Sequence, residues 1–379
     1  MVKYTVLWIS ATQPMSQPYI SLTIPTRNDN YPSNVLAVQN KSLLILQRQL
    51  EAARLESEIL IIEYNADPSR SHLYESLQVD EGRYVTIKVV CVGQEHHRRL
   101  PFSDRREFHQ TCAVNAGLRR SRGRFLVYRA ADHIYSDGLV RFLSNRSLLE
   151  DCIYRCDRYD IDRAGFDAVP SAVARGNIST VCDSHIVDWH RPLPIEPSYR
   201  IPALHANACG DFLLMARSLW MRIAGLRQGR FPIFLDYDSL ALHAAYALCR
   251  CQAILPQDCR VYKLSHGLKT VARINQVWTS RSKRLEQALW RAQSTTLVNL
   301  ARALANYPRR KDRTIEGVLL DSYERHFVLP AFLWAHGFPF VRQNVGPWGL
   351  GDEPLPEVTL ASADWDIGTP HREFAASAS

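Results

Sequence analysis

Short unbroken apolar runs alternate with stretches of helical spacing along the first third of the chain. Tyr19 to Ile24 is continuous in hydrophobic and small residues and is closed by a polar, turn-rich loop, Pro25 to Pro32. Leu43, Leu44, Leu46, Leu50 and Leu55 then recur at helical intervals across Val35 to Leu55. Glu58 to Glu63 reads as a second strand buried on both faces, Tyr84 to Val92 as a third, Arg106 to Leu118 as a helix stopped near Gly117 and Gly123, and Phe125 to Tyr128 as a fourth strand. Strand, crossover helix and strand repeated in this order predict an α/β fold: a Rossmann-like, mostly parallel sheet flanked by helices.

The pattern loosens farther on. Tyr4 to Ile9 is strand-like and is followed by a linker, Gln13 to Pro18. A helix is expected from Ser136 to Leu148, and the charged stretch Cys152 to Asp160 reads as a strand. Pro170 to Pro202 lacks a helical period and reads as a long functional loop. Phe231 to His243 reads as a loop entering a helix that runs through Ala247, and Val261 to Gly267 as a strand end. From Ser280 onward Leu285, Leu289, Leu297, Leu300 and Leu304 return to helical spacing among Arg and Lys. Phe327, Phe332, Trp334, Phe338 and Phe340 follow, to pack over the main domain or to touch a membrane surface. The last dozen residues read as disordered.

Composition narrows the classes. A chain of 379 residues with 46% apolar content can bury an ordinary core. No run is long and apolar enough to cross a bilayer, and the opening residues lack a basic region followed by a cleavage site, so a cytoplasmic location is expected. The nine cysteines are odd in number and sit in apolar patterns, as reduced core thiols do; Cys249, Cys251 and Cys259 are read as packing, with a zinc site as the alternative. The net charge of +8 suits nucleic acid, an anionic membrane surface or phosphate-bearing substrates. The basic clusters Arg98-Arg99, Arg119 to Arg124 and Arg309 to Lys311 sit in no nucleic-acid module, so no nucleic-acid partner is expected; a basic nucleic-acid-binding protein remains the rival from another class.

No phosphate-cradling glycine motif follows the first strand. The strand ends are polar instead: Arg27, Asn28 and Asp29 after the first, Glu63 and Asn65 after the second, and Asp132 just past the fourth. Open α/β sheets bind ligands outside the carboxyl ends of their strands, so these side chains are candidates for one pocket, with Asp132 suited to a metal-bound phosphate.

The runs Ile24-Pro-Thr26-Arg-Asn28, Ile61-Ile-Glu63-Tyr-Asn65, Asn115-Ala-Gly-Leu118 and Ala131-Asp-His133, in this order, resemble the nucleotide-sugar domain of family 2 glycosyltransferases with the GT-A fold. A bacterial branch with Arg27-Asn28-Asp29, Glu63-Tyr64-Asn65 and Asn207-Ala-Cys-Gly-Asp-Phe212 is similar more closely, and the resemblance continues through Asp238-Ser239, Tyr262 to Gly267 and Trp348 to Glu357. It implies an N-terminal extension over 1–18, a GT-A domain over 19–270 with a nucleotide-binding half (19–140) and an acceptor half (141–270), a helical, aromatic appendage over 271–360, and a disordered tail over 361–379.

The implied activity is inverting, hexosyltransferase-type transfer from a nucleotide-diphosphate sugar, a UDP-sugar first. The acceptor would be a saccharide or lipid-linked saccharide in surface polysaccharide synthesis, with peripheral contact at the inner membrane face, and the cofactor Mn2+ or Mg2+. Thr26, Arg27, Asn28, Asp29, Glu63, Asn115, Ala131, Asp132, Gly210 and Asp211 are the implied donor-binding residues. Asp238 or Asp236 would be the general base, and Asp132 with His266 the metal ligands.

The family's acidic triplet departs here, because Ala130 stands in its first position and leaves Asp132 alone. Each assignment has a structural alternative: a helix cap for Asp132 and for the aspartates before the second-half helix, an ion pair with Arg27 for Glu63, local backbone capping for Asp211, and a hydrogen-bonded structural role for His266. A protein that binds nucleotide sugar without transferring it is the nearer rival to the enzyme.

Overall fold

In a computed structural model the described residues are 17–28, 35–100, 103–105, 107–190, 204–205, 209–228, 237–265, 342–344 and 346–366. The strand-like run near the N-terminus, Asp29, Asp236, His266 and the helical appendage up to residue 341 lie outside them.

Four parallel strands form the centre of the main sheet: β1 (Ile20–Thr26), β2 (Ser57–Ala66), β3 (Val85–Gly93) and β4 (Phe125–Tyr128), in the order β4-β1-β2-β3. Their sequences are nearly continuous in apolar residues because both faces are covered. α1 (Val35–Ala52) packs Leu43, Leu46 and Leu50 on Ile20, Leu22, Ile59, Ile61 and Val89. α3 (Gln110–Arg120) packs Cys112, Ala113 and Ala116 on the opposite face, against Leu60, Ile62 and Val90. The approach there is close, since a Cβ on Gly117 would meet Thr23 and come within 3.1 Å of Ile62. Pro25 lies beyond Thr23, where β4 pairing stops, so its missing N–H costs no bond on that side.

Beyond β4 the sheet turns antiparallel through β9 (Leu213–Ala216) and β6 (Ile153–Arg155), and β10 (Gln252–Ile254) closes that edge parallel to β6. A second, four-stranded sheet carries β5 (His133–Tyr135), β11 (Arg260–Leu264), β7 (Asp157–Ile161) and β8 (Ile186–His190), in the order β5-β11-β7-β8. α4 (Asp137–Ser144) starts at Ser136, whose hydroxyl accepts from the Leu139 N–H at 3.0 Å; the cap is therefore Ser136 and not Asp132.

Several expectations change. The expected helix from Arg106 begins at Gln110 and is preceded by the short α2 (Gln94–Arg98) and a 3-10 turn. The stretch read as a loop from Pro170 instead holds the end of α5 (Arg163–Val173), α6 (Ile178–Asp183) and β8 as far as residue 190. Pro170 lies inside α5, and Phe166, Val169, Ala172, Ile178 and Cys182 bury on helical spacing, so tertiary packing overrides the local signal. Within this stretch Asp183 accepts from Tyr262 and Arg260, and His185 pairs with Asp162.

Residues 346–366 belong to the α/β body, although the division expected from sequence puts them in an appendage and a tail. Arg120 donates to the carbonyls of Gly349 (3.1 Å), Leu350 (2.8 Å) and Glu353 (2.8 Å), and β12 (Glu357–Ala361) pairs antiparallel with the exposed side of β3. Arg122 then joins Glu58 (3.0 Å) to the buried Asp366 (2.9 Å). α7 (Arg217–Ile223) and α8 (Tyr237–Cys249) complete the layer over β4 and β9 through Trp220, Ile223 and Leu240. Among the described residues no helix is long and apolar enough to cross a membrane.

Candidate active site

The carboxyl ends of β1 and β2 carry the first group of expected residues. Thr26 is buried and accepts a hydrogen bond from Gln39 of α1. Arg27 pairs with Glu107 at 2.7 Å and lies over the Phe108 ring, while Glu63 has other partners. Glu63, 1% exposed, has acceptor directions taken on both oxygens: Oε1 by Asn28 Nδ2 (2.9 Å) and the Leu73 N–H (3.0 Å), Oε2 by His72 Nδ1 (3.1 Å) and the Cys91 thiol (3.4 Å). Asn28 also donates to the Ser71 carbonyl at 2.6 Å, tying the first loop to the second. Asn115 is fully buried on α3, where its carboxamide exchanges two 2.7 Å hydrogen bonds with the Leu226 backbone; this pins the chain after α7.

A second group surrounds Asp132. Arg129 follows β4, fully buried, with Nη2 donating to the His133 carbonyl at 2.5 Å and Nε to the Ala130 carbonyl at 3.2 Å. Its Nη1 has no hydrogen-bond partner among the described residues, and the residue lines a pocket together with Thr26, Gln39, Ile61 and Ala131. A buried guanidinium N–H left open beside a pocket is suited to an anion.

His133 follows on β5, where Lys263 of β11 is its register partner, and Lys263 is in turn aligned with Asp160 of β7. These strands therefore bring His133, Lys263 and Asp160 into one row. Asp211 meets that row: His133 Nε2 is 3.2 Å away, Arg158 Nη1 2.6 Å and Lys263 Nζ 3.7 Å. Arg158 also holds Asp160 at 2.9 Å.

Burial alone would raise the Asp211 pKa, but the His133 hydrogen bond and the charges of Lys263 and Arg158 hold it well below the usual carboxylate range. Burial pulls His133 the other way, toward the neutral form. The neutral ring fits its contacts, because Nδ1 accepts from the Ala130 N–H at 3.3 Å while Nε2 donates to Asp211. Burial works against the Lys263 ammonium, yet Asp132 and Asp211 outweigh it and raise its pKa. Asp132 Oδ1 lies 3.9 Å from His133 Nε2.

The third group joins Asp211 from its other side. Cys209–Asp211 forms a 3-10 turn held from beneath by the fully buried Arg155, which donates to the carbonyls of Cys209 (3.1 Å), His205 (3.2 Å) and Phe212. Asp238, in the first turn of α8, lies against this turn: a Cβ on Gly210 would fall 2.9 Å from its Oδ2 and 3.2 Å from the Tyr128 hydroxyl. The missing side chain at Gly210 is what lets Asp238 come this close to the turn. Asp238 Oδ1 accepts from the Ser239 N–H at 2.9 Å, and burial, with the Asp211 charge adding to it, pushes its carboxyl above the usual range. A carboxylate shifted upward in this way is suited to general-base work.

Asp132, the Gly210–Asp211 turn and Asp238, three segments far apart in sequence, thus meet in one cluster, while Thr26, Asn28 and Glu63 line the neighbouring strand ends. Sequence reasoning missed Arg129, Arg158 and Lys263. The signal for Arg129 was its place immediately before the expected acidic triplet; the other two depend on register in the small sheet. Asp132, His133 and Asp211 do not close on one point for an ion, and Ala130 supplies no second carboxylate, so the described residues do not by themselves fit a Mn2+ or Mg2+ site at this corner. Among the described residues the group of three metal-ligating side chains that does converge is Glu63, His72 and Cys91. The cysteines considered for zinc do not converge; Cys259 packs in the core, and Cys251 Sγ lies 2.7 Å from Cys152 Sγ.

No family model matches the chain, and no curated protein matches it. Among solved structures it is similar to a mannosyltransferase of Pyrobaculum calidifontis in complex with GDP-Man and Mn2+, at 14% identity over 87% of this chain and 76% of that one. It is also similar to residues 1-349 of TarS from S. aureus, at 10% identity over 83% and 80% of the two chains. The TM-score is 0.35 in both cases, which leaves activity to be argued from the residues of this chain.

Proposed function

We propose that the chain is an inverting glycosyltransferase of the GT-A type that moves a sugar from a nucleotide-diphosphate donor, a UDP-sugar first, to a saccharide or lipid-linked saccharide acceptor. The observation that supports this most is the meeting of Asp238, with its raised pKa, with Gly210, Asp211 and Asp132 at the strand ends, beside Arg129 and Lys263. In the reaction, the Asp238 carboxylate takes the proton of the acceptor hydroxyl as that oxygen bonds to the anomeric carbon. The bond from that carbon to the diphosphate breaks, and its electron pair leaves with the phosphate oxygen.

Arg129, with an open N–H, and Lys263 would neutralise the leaving diphosphate. Asp211 holds Arg158 and Lys263 in place. Glu63, which accepts from Asn28 at 2.9 Å, would fix the loop after β1 beside the donor's base. Asp132 would be this chain's carboxylate partner for a Mn2+ or Mg2+ that arrives with the diphosphate, whose charge would help the leaving group depart.

The test is donor turnover with a panel of UDP-sugars, followed by binding calorimetry with UDP. Transfer that is lost in Asp238→Asn, with UDP affinity kept, supports the enzyme. Ala130 favours one second reading, a nucleotide-sugar-binding protein without transfer. UDP binding with no turnover, unchanged by Asp238→Asn, would establish that reading, and absence of UDP binding would sink both.

A further inference from the structure

Thr26, Glu63 and Cys91 are register partners on the adjacent parallel strands β1, β2 and β3. Residues aligned in this way point to the same side of a sheet, and here that is the side covered by α1. His72 enters from the connection after β2, its ring stacked on Tyr74 with centroids 5.0 Å apart and planes 14° from parallel. Glu63 Oε2 is 3.1 Å from His72 Nδ1 and 3.4 Å from Cys91 Sγ, and the latter two are 3.9 Å apart. The other Glu63 oxygen is fixed by Asn28 and the Leu73 N–H, which turns Oε2 toward the histidine and the thiol.

Zinc binds nitrogen and oxygen at about 2.0 Å and sulfur at about 2.3 Å, so tetrahedral geometry separates its ligand atoms by roughly 3.3–3.6 Å. The three distances bracket that spacing. A thiol, an imidazole and a carboxylate also select a borderline cation over Mg2+ or Mn2+, which prefer oxygen alone. Glu63 and Cys91 are buried while the His72 side chain is 36% exposed, so one side of the group opens to solvent.

We infer that Glu63, His72 and Cys91 form a zinc site with three protein ligands and a fourth position open to water, separate from the cluster around Asp132. Binding replaces the Cys91 S–H bond with a metal–sulfur bond and releases that proton to solvent, with no electron transferred. The ion would clamp the ends of β2 and β3 to the connection carrying His72. The same atoms can hold one another by hydrogen bonds alone, which is the outcome the experiment separates.

Full-length protein stripped with a chelator is titrated with Co2+ and then Zn2+, and Zn2+ affinity is measured by competition. The expected result is one Co2+ per chain, with the absorption of a tetrahedral site and a thiolate charge-transfer band, both displaced by Zn2+. Cys91→Ser should abolish the charge-transfer band, and Cys251→Ser should leave it unchanged. His72→Gln, at a half-exposed position where circular dichroism can verify the fold, should weaken Zn2+ binding at least tenfold. Absence of stoichiometric binding, a spectrum without the thiolate band, a band that survives Cys91→Ser, or unchanged affinity in folded His72→Gln would each overturn the site. None of these readouts depends on sugar transfer.

Discussion

Replacing Asp211 by asparagine tests the electrostatic argument most directly. The side chain is 11% exposed and accepts from Arg158 at 2.6 Å and from His133 at 3.2 Å, with Lys263 at 3.7 Å. Asp211→Asn keeps the shape and removes the charge, leaving Arg158 and Lys263 in a site where they are only 16% and 22% exposed. Breaking one side of a buried pair typically costs about 3–5 kcal/mol. The low end, about 3 kcal/mol, applies here because Arg158 keeps Asp160 at 2.9 Å. At roughly 2 °C per kcal/mol for a chain of this size, Tm should fall by about 6 °C at pH 7.

The carboxyl of Asp211 is held below its unfolded value, so its contribution is present above that value, about pH 3.9, and is lost as pH falls toward the folded one. Denaturant unfolding of wild type and variant from pH 7 to pH 3 should show the full gap at neutral pH and a narrowing gap below about pH 4. A difference under about 1 kcal/mol at pH 7, or a gap independent of pH down to 3, would refute the reasoning.

Asp238 has the opposite sign: its carboxyl is raised in the folded state, so it favours folding below its unfolded pKa and opposes folding as pH rises through the folded value. Asp238→Asn should therefore be at least as stable as wild type at pH 7 by thermal melting, while losing about 10²–10⁴-fold in transfer rate. Arg129→Met, which keeps bulk and removes the open N–H, should raise the donor KM and weaken UDP in calorimetry far more than it changes a melt carried out without ligand. Gly210→Ala puts a methyl group 2.9 Å from Asp238 Oδ2 and 3.2 Å from the Tyr128 hydroxyl, so turnover should drop at least tenfold with donor affinity nearly retained, checked by initial rates.

The strands that are buried on both faces were legible because a continuous apolar run has few other uses; β4 has the bounds Phe125 and Tyr128 that its sequence suggests. Asp238 also lies at the entrance of a helix, as the pattern of its segment implies. The charged stretch from Cys152 was harder to read. It breaks at Cys156 into β6 and β7, strands of different sheets, which sends Arg155 beneath the Gly210 turn and Arg158 to Asp211. No local signal tells one strand from two. α5 was hidden by Pro170, whose cost is offset by the burial of Phe166 and Val169. The surroundings of Glu63 were illegible for a different reason: Cys91 reaches it only through the register of β2 and β3, and register is a property of the folded pair.

The pairing of β3 with β12 also bears on how the protein is made. A ribosome adding about 5–20 residues per second needs roughly 13–50 s to travel the roughly 260 residues between these strands, so the edge of β3 waits that long for its cover. An uncovered strand edge invites pairing with other nascent chains. Lys88 stands on that edge, and a lysine there discourages such pairing before the tail arrives; afterwards it meets Glu357 of β12 at 2.9 Å. One residue is thus placed to guard against misassembly during synthesis and then to latch β12.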